Sequence, residues 1–203
     1  VAHRHSASQD HAPVTAEEKG VHYLDGAILV PPQAVGSPDS VFVYSGSQSI
    51  FEGHRKTLAT MGGPRYLGAD PSLAVLYNTA LLSLLYASVQ GFLHAAALVG
   101  SANVEVEKFS EIATGWLLPN VVTPYLRLEA PDIGKGHYPG DRGTMRMNLT
   151  ALEHIYRTSQ EQGVSSELPG QLKKLAEDAT SAGYGDSNFM AVIELLKKPS
   201  KEL

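Results

Sequence analysis

The sequence predicts a small α/β stub, one long apolar helix and an all-helical carboxy-terminal half. Three observations carry this. Two short β-rich runs, bounded by Pro and Gly/Ser turns, fall between residues 23 and 46. The 34 residues from Pro71 to Val104 contain no Asp, Glu, Lys or Arg. Beyond them, the periodic segments have helical spacing. Of 203 residues, 43% are hydrophobic and 18% charged, which suits a packed core and not a disordered chain.

Residues 1–20 are polar, and their His3, His5 and His11 read as a solvated tail and not a metal site. YLDGAILV (Tyr23–Val30) is β-rich and stops at Pro31-Pro32, which cannot continue a strand ladder. VFVYSG (Val41–Gly46) is apolar on both faces, as in a covered sheet. Gln48–Met61 reads as a helix stopped by Gly62-Gly63-Pro64, and RYLG (Arg65–Gly68) is a further short run. Asp70-Pro71 then offers an N-cap followed by Pro at the first helical position.

The segment SLAVLYNTALLSLLYASVQGFLHAAALVG opened by this cap has no interior proline, so a helix of about 42 Å follows at about 1.5 Å per residue. Asn78, Thr79, Ser83, Ser88, Gln90 and His94 are spread around it, and no Lys or Arg flanks it closely. Both features argue against a membrane span and for a helix buried between protein layers. Such a stretch is too long for the helical half to cover, which predicts an apolar two-fold interface with a second copy.

After it, residues 105–130 form one expected helix, interrupted at Pro119 and Pro124. Thr144–Gly163 is another, with apolar residues at 145, 149, 152 and 155–156. Residues 169–183 and Asp186–Lys198 give two more, the last N-capped by an Asp or Ser.

Several function classes drop out. Lys+Arg 16 against Asp+Glu 21 gives a net charge of −5, unlike a nucleic-acid groove. There is no cysteine, hence no disulfide scaffold and no thiol nucleophile. P-loop, HExxH and GxSxG motifs are missing, and Gly134, Gly136 and Gly140 are spaced too widely for a dinucleotide fingerprint. The opening residues have no apolar signal-like run, so a cytoplasmic location is expected.

Polar groups on the apolar helix are the best chemical lead, because a buried amide or phenol needs a partner or a task. Asn78 and Tyr86 are eight residues apart, about 80° around the helix and two turns along it, so both can line one cleft. Equally, both can simply tie helices together. His94 reads as a hydrogen-bonded core histidine.

The segments YLDGAILVPP, VFVYSG, LAVLYNTALLSLLYASVQGFLHAAAL and FMAVIELL, with YPGD (Tyr138–Asp141) and TSQEQG (Thr158–Gly163), resemble bacterial imine reductases. These belong to the β-hydroxyacid dehydrogenase-like NADP oxidoreductases. The resemblance runs from about residue 20 to the end. It implies an α/β remnant, the last strands of a Rossmann-like sheet, over residues 1–70. An interdomain helix at 71–102 and a helical dimerisation and substrate domain at 103–203 complete the architecture.

The same resemblance implies NADPH-dependent reduction of cyclic imines or iminium ions, in a homodimer whose sites lie at the subunit interface. Asn78 stands where the family has Asp, Tyr or sometimes Asn. Tyr86 matches a tyrosine of the substrate pocket. Trp116 and Met147 fall in pocket-walling helices. Val30 and Pro31 fall where a strand end approaches the nicotinamide, and Ser6 falls in a polar loop edging it. The glycine-rich phosphate-binding turn that precedes these segments in the family is not in this sequence. Two other readings stand beside this one. The first is a non-catalytic helical dimerisation module. The second is a hydroxyacid or aldehyde reductase of the same superfamily, which the lack of Lys from Pro71 to Val104 disfavours.

Overall fold

Strand β2 (Val41–Gly46) spans the residues its apolar pattern predicts, and five of its six residues are buried. The computed structural model describes residues 18–37 and 39–197, in a chain that groups into two units, Val1–Ala87 and Ser88–Leu203. In the first unit β2 is the middle of a three-stranded sheet. It pairs antiparallel with β1 (Leu24–Ile28) and parallel with β3 (Gly63–Gly68).

A parallel pair needs a crossover, and helix α1 (Gln48–Leu58) supplies it. It is shorter than the expected 48–61, because residues 59–62 tighten into a turn in which the Thr60 hydroxyl donates to the Thr57 carbonyl. The period-2 alternation of β2 then divides two cores. Phe42 and Tyr44 pack with Phe51 of α1, whereas Val43 packs with Ala27 and Ala74. This double covering is why VFVYSG carries apolar residues on both faces.

The long helix α2 (Leu73–Gly100) runs through both units. It starts at Leu73, two residues later than Asp70-Pro71 suggests, because the Asp70 carboxylate holds residues 70–72 in a turn, accepting from the Ser72 N–H at 2.9 Å and the Ser72 hydroxyl at 2.7 Å. The expectation of burial all round is not met within one chain. Ala74 and Ala96 are buried, but Leu76, Leu85 and Tyr86 are 57, 53 and 69% exposed. By length and composition alone α2 could cross a membrane, with a mean hydropathy of 1.5.

The second unit holds α3 (Val106–Ile112), a π-helical run (Ala113–Val122) and α4 (Thr123–Lys135). The interruption expected at Pro119 and Pro124 does not occur. Pro119 lies inside the π-helical run, whose wider turn relieves the clash of the ring with the preceding carbonyls. Pro124 follows directly on the π-helical run, near the start of α4, and the chain stays helical through it. Gly136, with φ 69°, closes α4 in the left-handed conformation.

Two longer helices follow, α5 (Met145–Glu161) and α6 (Glu167–Ala179). Thr144 caps α5 by accepting from the Met147 N–H at 3.3 Å. The final helix expected over 186–198 is a 3-10 turn (Phe189–Val192) followed by one α-turn, α7 (Ile193–Leu196). Its cap is Asn188, and not an Asp or Ser: the Asn188 Oδ1 accepts from Met190 N–H at 3.0 Å. Met145, Ala176, Ala179 and Ala191 are fully buried and form the core of this unit with Tyr138 and Val192.

Candidate functional site

The proline stop after β1 ends the ladder and leaves residues 28–31 as an apolar rim. Opposite it, within the same unit, stand the second to fourth turns of α2. Together they line a cleft of about 630 Å³. Ile28, Leu29, Val30 and Pro31 form one wall; Asn78, Leu81, Leu82 and Leu85 form the other. The helical positions 78, 81, 82 and 85 fall at i, i+3, i+4 and i+7, a single stripe of the helix.

Asn78 is the only polar side chain among the described lining residues. It is half-buried, and its amide has no protein hydrogen-bond partner among the described residues. An amide donates and accepts but does not ionise near neutrality. The cleft therefore favours an organic molecule with a small polar centre, oriented by one donor and one acceptor in apolar surroundings.

Of the residues singled out from sequence, the structure brings Val30, Pro31 and Asn78 together. Tyr86 is one residue beyond Leu85, 69% exposed and outside the cleft lining. Trp116 and Met147 belong to the second unit, where they are 57 and 65% exposed. Ser6 lies outside the described residues, as do the three amino-terminal histidines. His94 is half-buried, with Nε2 3.2 Å from the Ser159 Oγ. The same hydroxyl contacts the Ile155 carbonyl at 2.8 Å. Sequence reasoning passed over Leu81, Leu82 and Leu85, although their i+3, i+4 and i+7 spacing from Asn78 was the available signal.

Comparison with known proteins places the chain in a family. The model of the family described as "NADPH-dependent reductive aminase-like, C-terminal domain" matches residues 70–198. An NADPH-dependent reductive aminase of Aspergillus oryzae is 37% identical over 185 residues, covering 88% of this chain and 61% of its own length. A solved reductive aminase of Aspergillus terreus, in complex with NADPH4, cyclohexanone and allyl amine, is 37% identical. It superposes with a TM-score of 0.80, over 90% of this chain and 63% of that one. An imine reductase of Bacillus cereus BAG3X2 gives a TM-score of 0.82 at 28% identity, over 90% of this chain and 63% of that one. The chain thus spans less than two thirds of the length of these relatives.

Proposed function

The chain belongs to the NADPH-dependent reductive aminase-like family through its C-terminal domain, and from that premise we propose that it forms one wall of an imine-reducing site. The observation that carries this reading is the apolar cleft between the end of β1 and α2, with Asn78 as its single polar lining side chain. NADPH is the cofactor of the family. The flat apolar rim at residues 29–31 suits a nicotinamide ring, and when bound NADPH supplies a hydride to the substrate carbon.

The substrate is an imine or iminium ion, cyclic or formed from a ketone and an amine. Asn78 orients its nitrogen through the amide, and Leu81, Leu82 and Leu85 exclude water from the C=N bond. Tyr86, two turns beyond Asn78 and outside this cleft, would reach the substrate only where a second copy closes the exposed side of α2. Replacing Tyr86 with Phe is expected to lower turnover by about tenfold or more, the scale of one lost transition-state hydrogen bond. Steady-state kinetics of amine formation check this, and an unchanged kcat removes Tyr86 from the mechanism.

The protein acts as a cytoplasmic homodimer in this reading. The exposed leucines of α2 are apolar surface that a second copy would cover. α2 is then an interdomain helix and not a membrane span. Sedimentation at micromolar concentration is expected to give a dimer; a monomer would refute the shared-site arrangement.

A further inference from the structure

Ser45 is the penultimate residue of the central strand of the sheet and is completely buried. Its Oγ donates to the Pro71 carbonyl at 2.7 Å and accepts from the Ala74 N–H at 2.9 Å. Ala74 is the second residue of α2, and the first N–H groups of a helix have no intrahelical acceptor. The long helix is therefore tied down twice. Asp70 holds the turn just before it through Ser72, and Ser45 caps its second residue from a strand 29 residues away.

The register between β2 and β3 shifts beside Ser45. Tyr44 pairs with Tyr66, but Ser45 pairs with Gly68, so Leu67 is an extra residue in β3. Such a bulge re-aims the neighbouring side chains. Gly68, with φ 146°, takes the backbone conformation that the bulge requires.

The anchored turn lies directly beneath the cleft. Asn78 is four residues beyond Ala74, on the same helix face and about 6 Å along the axis. Across the cleft, β1 is held in register with β2, Ala27 opposite Val43, and both pack against Ala74. An unbroken chain of contacts thus runs from the rim through β1 and β2 to Ser45, then to Ala74 and Asn78. We propose that Ser45 is a positioning residue, fixing the Asn78 amide at a set height against the rim at Val30 and Pro31. This rests on the imine-reducing reading of the cleft. A displacement of about 1 Å at a reacting centre is enough for a large loss of rate.

The test uses the full-length, NADPH-binding protein with Ser45→Ala and Ser45→Thr. For Ser45→Ala, kcat for a prochiral cyclic imine is expected to fall about tenfold or more at a temperature well below unfolding. The ratio of product enantiomers should move toward unity, because a loosened Asn78 no longer selects one face. Amide hydrogen exchange in residues 72–80 should accelerate. Ser45→Thr keeps the hydroxyl and should restore both rate and enantiomer ratio to within about threefold of the original. A purely structural cap predicts otherwise: a lower melting temperature with kcat and enantiomer ratio unchanged, which would overturn the proposal. Absence of imine turnover in the unsubstituted protein would refute the functional reading and, with it, the effect on catalysis. Hydrogen exchange would still judge the anchor, and unchanged exchange at 72–80 would refute that too.

Discussion

Replacing Asn78 with Leu is expected to lower kcat/KM for imine reduction by about a hundredfold, the scale of one preorganised polar contact removed from a water-excluded site. Leucine is close in volume and extends the apolar stripe of Leu81, Leu82 and Leu85, so the helix should tolerate it. The loss would then report the amide itself. Hydride addition to a neutral imine would place an electron pair on nitrogen, which must be protonated. An amide side chain supplies no acid of useful strength. The substrate should consequently arrive at the Asn78 wall already protonated, with its N–H donating to the Asn78 Oδ1. Turnover of a cyclic imine is then expected to decline as pH rises through the substrate's own pKa. An N-alkylated iminium ion, charged at every pH, should show no such decline. Asn78→Asp should change this pattern. Apolar surroundings raise a carboxyl pKa, so the introduced carboxyl group can carry the proton that neutral imines lack, and the alkaline decline should shift upward. Identical pH profiles for the imine and the N-alkylated iminium would sink this account.

The unequal legibility of the chain has a physical pattern. Local signals were sufficient wherever the relevant contacts are close in sequence. The proline stop at Pro31-Pro32, the Asp70 turn and the charge-free run of α2 each mark a boundary through backbone chemistry. The two-sided burial of β2 was visible in its composition. Ser45 was not singled out, because a serine before the glycine that ends a strand looks like turn chemistry. Its partners, Pro71 and Ala74, are 26 and 29 residues away. The Pro119 region misled for a related reason: proline excludes an α-turn, but neighbouring residues can widen the helix instead of ending it. The exposure of much of α2 in one chain fits the expectation that the helical half is too small to cover it, because hydrophobicity reports that a surface needs cover, not whether the same chain provides it. Within the cleft, Asn78 was conspicuous by contrast with its apolar neighbours, while the leucines beside it were hidden by likeness.

Glu129→Leu is expected to destabilise the helical unit by about 2–3 kcal/mol, and the reasoning shows why this carboxylate escaped notice. In LRLEA it looks like an ordinary surface residue of a helix, yet it is 2% exposed. Its Oε1 accepts from Arg142 Nη1 at 3.1 Å and its Oε2 from Asn188 Nδ2 at 2.8 Å. Three segments distant in sequence thus meet on one side chain: α4, the turn after YPGD and the carboxy-terminal cap. The two contacts differ in weight. Arg142 is 50% exposed and can return its charge to water, so its loss contributes little. Asn188 is 2% exposed, and without Glu129 its amide protons are buried with that acceptor gone. The Asn188 Oδ1 also caps Met190, so a reoriented amide would loosen the 189–192 turn that carries buried Ala191 and Val192. For a chain of this size the change should lower the melting temperature by about 5–10 °C. Calorimetry on Glu129→Leu, Asn188→Leu and the double variant checks the coupling. The double variant removes donor and acceptor together, so it should be markedly more stable than the sum of the single losses predicts. Strict additivity would show that the buried carboxylate and the amide act independently, and that the cap owes nothing to Glu129.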